Sequence, residues 1–100
     1  MKYGLQDEVV EAIRSVFRTH TEVEKVILYG SRAKGNFKPA SDVDLTLLGE
    51  SLDLTILNQV SWELDDLLLP FTFDLSLYQY LTNQDLLDHI ERIGIVLFER

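Results

Sequence analysis

Two aspartates one residue apart, Asp42 and Asp44, stand at the entry to the apolar stretch Val43 to Leu48. Alternate residues of an extended chain point to the same face. Both carboxylates therefore project side by side while Val43 turns into the opposite layer. Two ionised carboxylates held this close repel each other unless positive charge sits between them. Hard divalent cations take oxygen ligands, and magnesium is commonly held by one or two carboxylates together with substrate phosphates. Taken alone, the spacing also fits two solvated aspartates at a strand end.

Upstream, Gly30-Ser31 follows the apolar run Val26-Ile27-Leu28-Tyr29 directly. Glycine lets backbone approach a ligand closely, amides of a following helical turn point at anions, and a serine hydroxyl donates to a phosphate oxygen. A tight turn that simply needs glycine is the plainer alternative. The chain lacks a G-x-x-x-x-G-K-[ST] run, which excludes the Walker mechanism. A third carboxylate, Asp74, lies inside the alternating segment Phe71 to Leu77. Thr72, Asp74 and Ser76 share one face there, and Phe71, Phe73, Leu75 and Leu77 the other. An unpartnered carboxylate is costly to bury, so Asp74 either faces solvent or converges on a charged site.

These residues need a sheet to carry them. Leu5, Val9, Val10, Ile13, Val16 and Phe17 recur at helical spacing and predict an amphipathic helix over 5–17. Val26 to Tyr29 reads as a buried strand, Gly30 to Ala40 as a loop with a turn of helix after Ser31, and Val43 to Leu48 as a second strand closed by Gly49. A helix is expected over 53–69, N-capped by Asp53 and stopped by Pro70. Phe71 to Leu77 reads as a third strand. Thr82 opens a last helix, paired with Asp85 in a capping-box-like arrangement and ending near Ile93 before Gly94. Ile95 to Phe98 is a final short strand. The order α-β-loop-β-α-β-α-β predicts a layered α/β (α+β) fold around one mixed sheet, a single domain over 1–100, with strand polarities left open.

At this point the residues resemble a known family. Gly30-Ser31, ten residues, then Asp42-x-Asp44 is similar to the G-S-x10-D-x-D signature of the DNA polymerase β-like nucleotidyltransferases. The fuller run Gly30-Ser31-Arg32-Ala33-Lys34-Gly35, with Ser41-Asp42-Val43-Asp44-Leu45, resembles the minimal nucleotidyltransferase (MNT) branch. The resemblance implies that Gly30 and Ser31 hold the β- and γ-phosphates of ATP, and that Asp42 and Asp44 bridge two Mg2+ ions. It further implies that Asp74 binds one of these ions and assists deprotonation of the attacking hydroxyl. Arg32 and Lys34 are adjacent cations within reach of a triphosphate. Larger relatives carry domains that grip a primer, tRNA or antibiotic. None is expected here, with two residues left after Phe98.

The acceptor then comes from outside. In the MNT branch the partner is a HEPN-domain toxin, which implies a hetero-oligomer in which this chain is the antitoxin. It would transfer AMP from ATP to a hydroxyl of the toxin. The alternatives are an antitoxin that works by occlusion and a subunit that binds nucleotide without transferring it.

The net charge of −8 disfavours binding of long nucleic acid and is consistent with holding a basic toxin surface. Arg32, Lys34 and Lys38, three of the nine basic residues, sit in one short segment that suits a small polyanion, or serve as plain solvated loop charges. With 46% hydrophobic and 26% charged residues the composition is that of a globular chain, not a disordered one. There is no apolar run of bilayer length, and no signal peptide is expected where Met1-Lys2-Tyr3-Gly4 passes into a charged, periodic segment. The absence of cysteine removes disulfides and thiolate zinc sites and fits the cytoplasm.

Among the remaining residues, neither His20 nor His89 has a partner spaced for zinc. His20, just past the first helix, is placed to offset the helix dipole. Trp62 and Tyr29 read as core or partner-facing aromatics, with core the better fit, and Tyr78 and Tyr80 as neighbours of the nucleotide base. Leu67-Leu68-Leu69 reads as extended core or a docking surface.

Overall fold

The computed structural model describes residues 1–100. Helix α1 (Asp7–Arg18) leads through a turn into strand β1 (Lys25–Tyr29), and a single helical turn, α2 (Ser31–Lys34), follows. Strand β2 (Val43–Leu48), helix α3 (Leu54–Asp65) and strand β3 (Phe73–Leu77) come next. A 3-10 turn (Tyr78–Tyr80), helix α4 (Gln84–Ile93) and strand β4 (Ile95–Glu99) complete the chain.

The four strands form one mixed sheet in the order β3-β2-β1-β4. β1 is antiparallel to both its neighbours, and β2 is parallel to β3. The polarity follows from the connections. Gly30 to Asp42 folds back as a wide hairpin, whereas α3 supplies the crossover that a parallel pair needs.

Apolar residues of both layers meet on one face of the sheet. Val10, Ile13 and Phe17 of α1 and Val60 and Leu64 of α3 pack on Val26, Leu28, Val43, Leu45, Leu47 and Leu97. These strand positions alternate, as burial of one face requires. On the other face α4 covers the β1 side only: its Ile90 is buried, and Gly94 lies against Ile27. Further along that face Thr46 is buried, whereas the end that carries Asp44 and Asp74 stays accessible and holds the residues of odd chemistry.

Several expected boundaries move. Asp53 caps α3 as expected, accepting from the Ile56 amide at 2.9 Å. The helix nevertheless ends at Asp65 instead of 69. The amides of Leu67 and Leu68 bond three residues back, to Leu64 and Asp65. Leu68 then adopts a left-handed conformation (φ 55°), and Leu69, preceding Pro70, is disfavoured in the helical region. The cap of α4 is Asn83, whose side chain accepts from the Leu86 amide at 3.1 Å, and not Thr82. Trp62, expected in the core, is 71% exposed on the outer face of α3. His20 contacts Glu63 of α3.

Candidate active site

Parallel pairing of β2 with β3 sets Asp44 directly beside Asp74. Neighbouring strands lie about 4.8 Å apart, so the two side chains emerge as a pair at the accessible end of that face. Asp42, two residues earlier, is exposed at the strand entry and accepts a hydrogen bond from the Thr72 hydroxyl at 2.5 Å. Thr72 stands two residues before Asp74, so the β2 entry and the β3 entry are tied by this bond and by that from the Val43 amide to the Thr72 carbonyl, 2.9 Å. The fold thus brings the three carboxylates to one patch, each from a position whose parity the strands dictate.

The electrostatics follow from this crowding. Partial burial, then the negative charges of Asp74 and Asp42, push the Asp44 carboxyl up to about 6 from an ordinary 3.8. Across the strand from Asp44 lies Tyr29, buried at the end of β1. Its phenol is raised from its usual range, chiefly by burial and further by Asp74 and Asp44, while the nearby Ser76 hydroxyl works the other way. That hydroxyl is not in hydrogen-bonding geometry, which leaves Ser76 Oγ as a buried oxygen without a partner. The patch is an excess of oxygen ligands with no protein cation among them.

Gly30 closes the patch. Its φ of 76° and ψ of −156° belong to a region that residues with side chains rarely enter. A Cβ placed there would run into the Asp44 carboxylate, so the turn and the acid occupy adjoining space. Its carbonyl accepts the Lys34 amide at 3.0 Å, which starts α2. Its own amide leaves α2 altogether and donates to Nε2 of His89 on α4, also at 3.0 Å. His89 stands edge-on to Tyr29, with ring centroids 6.2 Å apart at 81°. Burial, followed by the charges of Lys34 and Arg92, lowers its pKa and so favours the neutral ring. Lys34 is exposed on the same rim.

Arg32 points elsewhere. Its side chain is 2% exposed and its donors are spent on backbone carbonyls: Nε and Nη2 to Ser41 (3.1 and 2.8 Å), Nη2 to Pro39 (3.1 Å) and Nη1 to Tyr3 (2.9 Å). The rings of Phe37 and Phe71 flank it, their centroids 5.4 and 4.9 Å from the guanidinium carbon. Burial lowers its pKa and Asp42 opposes the shift. Arg32 is the clasp that closes the 31–41 loop and delivers Asp42, and no N–H of it is directed at the carboxylate patch. Tyr78 is also placed away from it. Because β3 runs parallel to β2, each residue after Asp74 moves about 3.3 Å from the site, and Tyr78 lines a depression at the far end of the sheet with Lys25, Leu48 and Glu50.

The donor set suits a hard cation: carboxylate oxygens, with hydroxyls close by. No three His, Cys, Asp or Glu side chains are grouped so as to hold a metal ion by themselves. A magnesium site does not demand such a group, since waters and substrate phosphates complete its octahedron.

His89, Thr72 and Tyr29 were not assigned to the site by sequence reasoning. Thr72 had a signal, since it shares the face of Asp74. His89 had none, because its partner is 59 residues away.

Residues 11–100 match the family described as "Polymerase beta, Nucleotidyltransferase". No curated protein matches the sequence. Among solved structures, a chain of a toxin–antitoxin complex with AMP-PNP superposes with a TM-score of 0.73 at 20% identity, covering 91% of this chain and 73% of its own. A chain of the complex between tri-AMPylated Shewanella oneidensis HEPN toxin and MNT antitoxin gives 0.70 at 18% identity, covering 96% and 74%. One from a MntA–HepT toxin–antitoxin complex gives 0.69 at 18%, covering 95% and 74%. Identities this low establish a shared fold. With nine-tenths of its length inside the family match and the Gly-Ser turn packed on an aspartate pair, the chain belongs to the polymerase beta nucleotidyltransferase family.

Proposed function

We propose that this chain transfers AMP from ATP to a hydroxyl of a HEPN-type toxin, and so acts in the cytoplasm as that toxin's antitoxin, with residues 1–100 as the catalytic unit. The observation that carries the reading is the register pairing of Asp44 with Asp74 beside the Gly30 turn. The structural likeness to chains of toxin–antitoxin complexes, one with AMP-PNP and one with an AMPylated toxin, supports the choice of nucleotide and partner.

In this reading the Gly30-Ser31 turn receives the β- and γ-phosphates, Gly30 by leaving room for their approach and Ser31 by its hydroxyl and amide, and Lys34 on the rim adds positive charge. Asp42, Asp44 and Asp74 would hold two Mg2+ ions, which supply charge neutralisation for the departing pyrophosphate and lower the pKa of the attacking hydroxyl. The acceptor oxygen attacks the α-phosphorus in line, the bond from the α-phosphorus to the bridging oxygen breaks, and pyrophosphate leaves. Asp74, exposed at the edge of the patch, takes the acceptor proton and releases it to solvent. Asp44, whose ionisation is opposed by burial and by its two acidic neighbours, is the carboxylate that gains most from a neighbouring cation.

Incubating the chain with α-labelled ATP, Mg2+ and a HEPN-domain protein from the same genome tests this. Label passes to the toxin and is lost in Asp42→Ala and Asp44→Ala. A second reading, neutralisation by occlusion, draws on the exposed Trp62 and Leu54 of α3. Neutralisation that survives both substitutions would establish it in place of the first.

A further inference from the structure

The conformation of Gly30 needs a cause. Glycine reaches its φ and ψ freely but reaches many others as easily, so one state must be selected by its surroundings. The bond from its carbonyl to the Lys34 amide is local and would move with the loop. Its bond to His89 crosses 59 residues and joins the turn to α4. That helix is itself fixed, by buried Ile90 and by the close packing of Gly94 on Ile27. We propose that His89 is a positioning residue for nucleotide binding: Nε2 of its neutral ring holds the Gly30 amide and so sets the Gly-Ser turn before ATP arrives.

An Nε2 that accepts carries no proton, so the ring proton lies on Nδ1. The lowered pKa of His89 favours that neutral state. The amide of Gly30 is thereby spent on the protein, and phosphate contact falls to the groups that follow it. A turn set in advance gains affinity because ordering is not charged against binding. Apolar packing alone would be met by leucine at this position, so a structural role and a positioning role separate on substitution. The inference rests on the nucleotidyl-transfer reading for its purpose but not for its geometry.

The variants are His89→Gln, whose amide oxygen reaches about as far as Nε2, with His89→Asn, which is too short, and His89→Leu. MgATP affinity is measured by calorimetry, kcat by label transfer to the toxin at saturating ATP, and Gly30 amide exchange by NMR on the free protein. His89→Leu and His89→Asn weaken MgATP binding about tenfold and speed Gly30 exchange about tenfold, with kcat within about twofold, while His89→Gln restores most of both. Affinity in His89→Leu within about twofold of wild type, or a glutamine variant as weak as the leucine one, would overturn the proposal. If wild type binds MgATP but transfers no label, the transfer reading fails and the affinities still decide the role of His89. If it binds no MgATP, both fail.

Discussion

A carboxyl pushed up to about 6 destabilises the fold that holds it. Asp44 ionises near its ordinary 3.8 when the chain is unfolded and only near 6 when folded. Between those values the native state binds the extra proton, so this group's contribution to stability falls as pH rises from about 4 through about 6. Asp44→Asn removes the repulsion. In metal-free buffer at pH 7 the variant is expected to gain about 1 kcal/mol, a value discounted for partial solvent screening, or roughly 4–8 °C in Tm. Its melting temperature also loses most of its slope between pH 4 and 7. A thermal scan across that range checks both, and a variant less stable than wild type at pH 7 refutes the account. A site that trades stability for charge crowding is the kind that a substrate-borne cation completes.

At the scale of elements, the loop between β1 and β2 depends on a side chain that sequence reading assigned to the ligand. Arg32→Lys keeps the charge but loses the planar fork that serves three carbonyls at once. Unfolding in urea is expected to show a loss of about 3 kcal/mol, with Arg32→Ala no better. A lysine variant as stable as wild type would return Arg32 to the nucleotide. The contrast shows what the sequence could say. Strand alternation placed Asp42 and Asp44 together, and the order of elements gave the sheet and the Asp53 cap, because these follow from local periodicity. What decided Arg32 and His89 was long-range. A buried arginine reads the same as a solvated one until Ser41 and Phe71 are seen around it. Trp62 was legible in principle, since an inner stripe through Val60 and Leu64 puts position 62 on the outer face of the helix. The end of α3 was legible in principle, since Pro70 restricts Leu69.

For the whole molecule, α4 covers the β1 side of one sheet face and leaves the Asp44–Asp74 end accessible, so ligands meet the carboxylates without domain movement. Binding of Mg2+ with a non-hydrolysable ATP analogue is expected to raise Tm by several degrees at saturating ligand, through linkage to the native state alone. EDTA reverses the shift, and Asp42→Ala or Asp44→Ala abolishes it. An equal rise without the metal would show that the acids do not hold it.

The adjoining of Gly30 and Asp44 has a consequence for how such a centre drifts or is transplanted. The room a methyl group would need at position 30 is filled by an oxygen of residue 44. Position 30 can therefore take no side chain while residue 44 keeps its carboxylate in that space. A graft of the glycine turn onto a foreign scaffold carries the aspartate with it or finds its slot empty.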